Sequence, residues 1–306
     1  MDVPALQVDG VTKKYEKHLA VDNISFEVER GVLFGMLGPN GAGKTSTIRM
    51  ITGITLPDSG KIFLNGKRVD GSLTPGIGYL PEERGLYRKM TVGEHLMYLI
   101  RLRGFSRSEG KKMVDDWVER FEIGSWWKKK IEELSKGMQQ KVQFIAAVMH
   151  NPDLMILDEP FSGLDPVNSN LIREEIRRLS SLGKGVILST HRMEQVEELC
   201  EKIVLINRGR IVLTGNLDEI KESYWQNEFL VDFENSDQQP DWNGLEEVER
   251  DHKGRWKVRL KEGQRTGDML NGLINSGREI IHFEKSLPSL NDIFIKVTGE
   301  DLIREE

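Results

Sequence analysis

The sequence predicts an α/β fold. It combines a mixed, mostly parallel sheet, helices on both faces, an antiparallel β edge, a helical subdomain and a small C-terminal α+β unit. Three observations carry this expectation. Apolar runs that read as buried strands ("VLFGML", "LMILDEP", "GVILSTH") alternate with stretches of helical spacing. A glycine loop, "GPNGAGKT" from Gly38 to Thr45, lies between one such strand and one such helix. After about Tyr224 the pattern changes to period-2 strands with short helices. The expected domains are therefore 1–224, with a helical subdomain at about 91–134, and 225–306.

Taken in order, "ALQVDGVTKKY" and "ISFEVE" alternate like strands of an antiparallel edge. "GKIFLNGKRV" predicts a hairpin turning at Asn65-Gly66. "IGYLP" is a strand stopped by Pro81. "TVGEHLMYLIRLRG" starts a helix, with Thr91 and Glu94 spaced as a capping box, and "SRSEGKKMVDDWVERFEIG" continues it. Ser135 starts the next helix. "PVNSNLIREEIRRLSSLG" has proline at its start and glycine at its end, the helix-boundary asymmetry. "MEQVEELCEKI" is a further helix and "IVLINRGRIVLTGN" a hairpin around Arg208-Gly209. Beyond Tyr224, the expected order is β-β-α-β-α.

Composition sets bounds. The 306 residues are 38 % hydrophobic and 30 % charged, as in ordinary globular proteins. A net charge of −6 gives no support to nucleic-acid binding. The single cysteine, Cys200, excludes an intrachain disulfide and reads as a small core residue. "MDVPALQVDG" lacks the basic and apolar regions of a signal peptide. No apolar run approaches a membrane span, so a membrane role would be borrowed from a partner.

The loop carries the chemistry. Its spacing fits G-x-x-x-x-G-K-[ST], whose glycines let backbone N–H groups turn inward around a phosphate. Gly38, Pro39, Asn40, Gly41, Ala42 and Gly43 form the cradle. Lys44 would reach the β- and γ-phosphates, and Thr45, followed by Ser46, would offer a hydroxyl to Mg²⁺. "LMILDEP" sets Asp158 and Glu159 at a strand end. The first acid can orient Mg²⁺, and the second can take a proton from an attacking water.

With these motifs in order, positions from about Leu6 to Leu217 resemble the ATP-binding cassette, or ABC, ATPases, a P-loop NTPase family. "LSKGMQQK" is similar to the signature motif, with Ser135 and Gly137 matching and Lys136 and Met138 departing. "SGLDP" resembles the D-loop, which contributes Asp165. "STH" ends in His191, similar to the switch histidine. Tyr15 matches the aromatic on which adenine stacks. Glu82 stands where the family has a glutamine. The resemblance implies ATP as substrate, catalytic roles for Glu159 and His191, and metal contacts from Thr45, Glu82 and Asp158. It also implies a second ABC ATPase subunit and a polytopic permease, with this chain on the cytoplasmic side of the cell membrane. The C-terminal "SLNDIFIKVTG" resembles tails of sodium-extrusion and drug-export cassettes.

Alternatives accompany these readings. Tyr15 could be an exposed strand-end aromatic, His191 a satisfied strand-end imidazole, and Lys136 solvated or part of the anion site. Ser135 would cap its helix in either case. Glu82 could bind metal, pair with a partner's basic residue, or be a solvated loop acid. Trp126 and Trp127 beside Lys128, Lys129 and Lys130 could touch a membrane partner or lipid headgroups. Otherwise one tryptophan packs beneath the helical subdomain. Rival functions are a soluble cassette acting on ribosomes or DNA ends, and a P-loop kinase.

Overall fold

The computed structural model describes residues 3–71, 76–83, 85–234, 245–251, 254–275 and 277–304. Met1 and Asp2 of the stretch read for a leader, the end of "NEFLVDFENSD", Ser276 and the last two residues of the final expected helix lie outside them. The chain forms two compact units, Met1–Leu217 and Asp218–Glu306. The division thus comes earlier than Tyr224, where the sequence pattern changes.

In the first unit, β1 (Leu6–Tyr15), β2 (His18–Val28), β4 (Ser59–Leu64) and the short β5 (Lys67–Arg68) form an antiparallel sheet in the order β2-β1-β4-β5. Asn65 and Gly66 both take positive φ at the hairpin turn, as an Asn-Gly pair allows. A six-stranded sheet holds the centre. It consists of β3 (Leu33–Leu37), β6 (Ile77–Leu80), β7 (Leu154–Asp158), β8 (Gly185–Thr190), β9 (Lys202–Asn207) and β10 (Arg210–Asn216) in the order β10-β9-β3-β8-β7-β6. β6, β7, β8, β3 and β9 run parallel, and β10 turns back antiparallel on β9. Every residue of β3, β7 and β8 is buried, as expected for strands covered on both faces. One core cluster joins the two sheets through Val8, Val21 and Phe26 of the antiparallel layer and Phe34, Met36, Ile156 and Ile187 of the parallel one.

Helices α1 (Lys44–Ile51), α2 (Val92–Leu102), α3 (Arg107–Arg120), α4 (Lys136–Val148), α5 (Pro166–Ser181) and α6 (Met193–Leu199) complete this unit. The capping box at Thr91 and Glu94 is formed. The expected continuous helix beyond it is broken. Gly104 takes φ 89°, and Ser106 with Glu109 makes a second capping box that starts α3 afresh. α6 is also shorter than expected, because Lys202 and Ile203 pair into β9 with β3 and β10. Trp127 packs against Gly93, whose backbone N–H donates to its carbonyl, and the Lys111 ammonium stands 5.0 Å from the Trp127 ring centroid. Lys128, Lys129 and Lys130 are exposed, which matches the packed-tryptophan alternative. Cys200 is buried, and burial pushes its thiol up to about 12.

The second unit holds α7, which spans Leu217–Ser223, and then β11 (Glu228–Phe233), β12 (Leu245–Arg250), β13 (Trp256–Leu260), α8 (Thr266–Asn275), β14 (Ile280–Lys285) and α9 (Leu290–Arg304). The observed order is β-β-β-α-β-α, one strand more than expected. All pairings in the sheet β12-β13-β11-β14 are antiparallel. Its core sets Phe229, Val231, Trp256 and Val258 with Met269 and Leu273 of α8.

Candidate functional site

The glycine loop leaves the end of β3 and enters α1, placing its residues at the carboxyl end of the parallel strands. Gly43 precedes α1 with φ 110°. A Cβ there would lie 2.5 Å from the Ala20 carbonyl oxygen, so only glycine fits. No side chain caps α1, and no acidic residue lies in its first turn. Backbone N–H groups at such a helix start favour an anion. The loop is braced from outside by the β9–β10 turn. Gly209 donates its N–H to the Ala42 carbonyl at 2.8 Å and accepts from the Asp22 N–H at 2.8 Å.

A cleft of about 360 Å³ opens beside the loop. Tyr15, Asn40, Gly41, Ala42, Gly43, Lys44, Thr45, Ser46, Glu82, Asp158 and Glu159 line it, so most of the expected site residues come together. His18, Ala20 and Arg49 also line it and escaped the sequence reading. His18 pairs with Tyr15 across the β1–β2 turn, a register that the sequence alone does not spell out. Gly38 and Pro39 meet the site through their carbonyls, which accept from the Lys44 ammonium at 2.6 and 3.1 Å.

The two acids diverge at the end of β7. The Ser189 hydroxyl donates to Asp158 Oδ1 at 2.7 Å. Glu159 takes a left-handed backbone, φ 49°, and turns its carboxylate toward β8. Thr190 Oγ1 donates to Glu159 Oε2 at 3.1 Å. Oε1 accepts from the His191 backbone N–H at 2.9 Å and from His191 Nδ1 at 2.6 Å. A carboxylate is acceptor-only, so Nδ1 carries the proton. Ser189 and Thr190 were missed by the sequence reading, although they directly precede His191.

Burial shapes the charges. It lowers the Lys44 pKa, opposed by Asp158, Glu159 and Glu82 in that order. It raises that of Asp158, opposed first by the Ser189 hydrogen bond and reinforced by Glu82 and Glu159. In both groups desolvation outweighs their mutual attraction. A ligand bringing anionic oxygens and a dication would relieve both. Among the described residues, no three His, Cys, Asp or Glu groups converge to hold a metal unaided. The donor set nevertheless fits a hard cation that arrives with phosphate oxygens, since Thr45 supplies a hydroxyl and Glu82 and Asp158 supply carboxylates.

Other expected residues lie outside this cleft's lining. Ser135 caps α4, accepting from the Met138 N–H at 3.3 Å, and Lys136 beside it is exposed. Asp165 caps α5 through the Asn168 N–H at 3.0 Å. Gly137 adjoins Leu164 and Asn168, so the α4 start and the loop before α5 are neighbours. Tyr15, which does line the cleft, is 36 % exposed, with the Lys13 ammonium 5.7 Å from its ring centroid.

Comparison with known proteins identifies the family of both parts of the chain. Residues 21–162 match the family described as ABC transporter, and residues 215–298 match the C-terminal domain of ATP-binding proteins like DrrA1-3. The chain is 43 % identical over 302 residues to the uncharacterized ABC transporter ATP-binding protein YhaQ of Bacillus subtilis, covering 96 % of this chain and 98 % of that protein. It is 38 % identical over 218 residues to the Nod factor export ATP-binding protein I of Burkholderia thailandensis, covering 70 % of this chain and 72 % of that one. A solved ATP-binding subunit of an ABC transporter superposes with a TM-score of 0.67 at 32 % identity, covering 72 % of this chain and 93 % of that one.

Proposed function

The chain belongs to the ABC transporter ATP-binding proteins, and we propose that it hydrolyses ATP as one of two cassettes that drive a separate membrane permease, in the export direction. One observation carries the paired reading. Ser135 and Gly137 start α4 outside the lining of the Lys44 cleft. The signature helix is therefore free to serve the nucleotide on a second ATPase subunit, identical or not. Among the described residues no helix is long and apolar enough to cross a membrane. The permease on another chain and the peripheral position on the cytoplasmic face rest on likeness to ABC transporter ATP-binding proteins. The outward direction rests on likeness to a Nod factor export protein. No feature favours a ribosomal or DNA-end partner.

The residues divide the work. Tyr15 stacks adenine, and the loop amides with Lys44 hold the phosphates. Thr45, Asp158 and Glu82 would hold Mg²⁺, which would supply charge neutralisation. Glu159 accepts the proton of the water that attacks the γ-phosphate, and His191 orients that carboxylate through Nδ1. Once the γ-phosphate leaves, contacts across the pair are lost and it opens. Such a ligand-biased two-state element can drive a permease.

Glu159→Gln tests this reading. It should bind ATP, form an ATP-dependent dimer on sizing, and hydrolyse roughly 10²–10⁴-fold more slowly. Monomer alone with turnover near wild type would remove Glu159 as the base. Co-purification from membranes with a polytopic protein tests the partner.

A further inference from the structure

We infer that Thr190 is a positioning residue for hydrolysis: its hydroxyl fixes the Glu159 carboxylate, while the adjacent Ser189 hydroxyl fixes Asp158. This rests on the reading of Glu159 as the base. Asp158 and Glu159 are consecutive, yet their tasks differ, and something must send them to different places. Asp158 pairs in register with Ser189 across the parallel β7–β8 ladder. Consecutive strand residues point to opposite faces. Two successive hydroxyls at the end of β8 can therefore take one acid each.

The contacts follow that division. Ser189 holds Asp158 Oδ1 at 2.7 Å, and Thr190 holds Glu159 Oε2 at 3.1 Å. Ser189 and Thr190 are each 0 % exposed, so solvent is not at hand to replace either hydroxyl. The Glu159 N–H donates to the Ser189 carbonyl at 2.9 Å, and its left-handed φ directs the side chain at β8. His191 occupies Oε1 alone, with two donors. Anchoring one oxygen leaves the carboxylate plane free to rotate. Thr190 anchors the other.

The Thr190 hydroxyl has one proton and two acceptors. Glu159 Oε2 lies at 3.1 Å and Gln195 Oε1 at 3.4 Å, while the hydroxyl oxygen itself accepts from the Arg192 N–H at 3.1 Å. The nearer, charged acceptor is the stronger one. When Glu159 takes up the proton of water, the Thr190 hydroxyl can still donate a hydrogen bond to the neutral carboxyl or turn to donate to Gln195 Oε1. Thr190 is then not stranded as a buried unsatisfied donor.

Thr190→Val keeps the shape and removes the hydroxyl. It should lower kcat about 10- to 100-fold, the scale of a misplaced reacting group. The KM for ATP should stay within about twofold, and an ATP-bound dimer should accumulate on sizing. Thr190→Ser should recover most of the turnover. Ser189→Ala should instead weaken Mg²⁺-dependent ATP binding in a calorimetric titration. Wild-type turnover in Thr190→Val would overturn the inference, as would a loss of ATP affinity parallel to its loss of rate. If the valine variant does not fold, Thr190→Cys, with its weak donor, should show an intermediate rate, and wild-type turnover there has the same adverse meaning. If Glu159→Gln also turns over normally, the reading of the base fails. If only the Thr190 variants do, the positioning inference fails alone.

Discussion

Replacing Glu82 by glutamine should reduce the dependence of ATP binding on Mg²⁺. Glu82 lines the cleft beside Lys44, Asp158 and Glu159, and its charge acts on both Lys44 and Asp158. A triphosphate entering without metal meets three carboxylates, the Lys44 ammonium and the Arg49 guanidinium. Glu82 is exposed, so its repulsion is screened. At ~8 Å, with an effective dielectric of ~40, one added charge costs about 1 kcal/mol, a factor of about five in Kd. With Mg²⁺ bound, the same carboxylate faces the largest positive charge in the site and its repulsion is offset. The ratio of Kd in EDTA to Kd in Mg²⁺ should therefore be about fivefold smaller in Glu82→Gln than in wild type. Titration calorimetry at fixed ionic strength measures both ratios. Equal ratios would refute the reasoning and place Glu82 away from the metal, as a solvated acid or a contact for the permease.

Two further outcomes are expected. His95 is fully buried, neither ring nitrogen has a hydrogen-bond partner, and burial lowers its pKa from 6.5 to about 4. Between these values only the unfolded chain takes the proton, so stability is present above about pH 6.5 and falls as pH drops toward 4. His95→Phe should leave the melting temperature at pH 7 unchanged or higher and remove about 3 kcal/mol of the acid-side loss. An unchanged acid slope would show that other groups dominate, such as His150, whose pKa burial also lowers to about 4. The loop, both acids and His191 all lie in the unit that ends at Leu217. A chain ending at Tyr224 should therefore fold and bind ATP with near wild-type affinity, and a folded, monodisperse truncation that fails to bind would contradict this.

What the sequence revealed was local chemistry. The glycine loop, the acid pair and the caps at Thr91 and Ser135 are spelled by residues within a few positions of one another. Features set by register were not visible. Nothing in "STH" says that Ser189 and Thr190 will meet Asp158 and Glu159, because that depends on how β7 and β8 align. "LEEVER" has apolar residues at 245 and 248, a helical spacing, and three glutamates that disfavour strands. It becomes β12 because β13 offers it a ladder. The break between α2 and α3 was legible in Gly104 and in the Ser106–Glu109 box, but the continuous helical periodicity outweighed it. Arg49 was hidden because its place beside the nucleotide cleft depends on α1 packing, not on the motif.

The turn at Gly209 has a consequence for how mutations in this protein will be interpreted. It touches the glycine loop only through its backbone, and a Cβ there would lie 2.9 Å from the Ala20 carbonyl oxygen, at a φ of 80°. Any side chain at 209 would press on the same β2 segment that confines Gly43. In a saturation screen scored by ATP binding, position 209 should therefore cluster with the loop, although Gly43 lies far earlier in the chain. Sensitivity to substitution will map the frame that holds the loop rigid as well as the atoms that meet ATP.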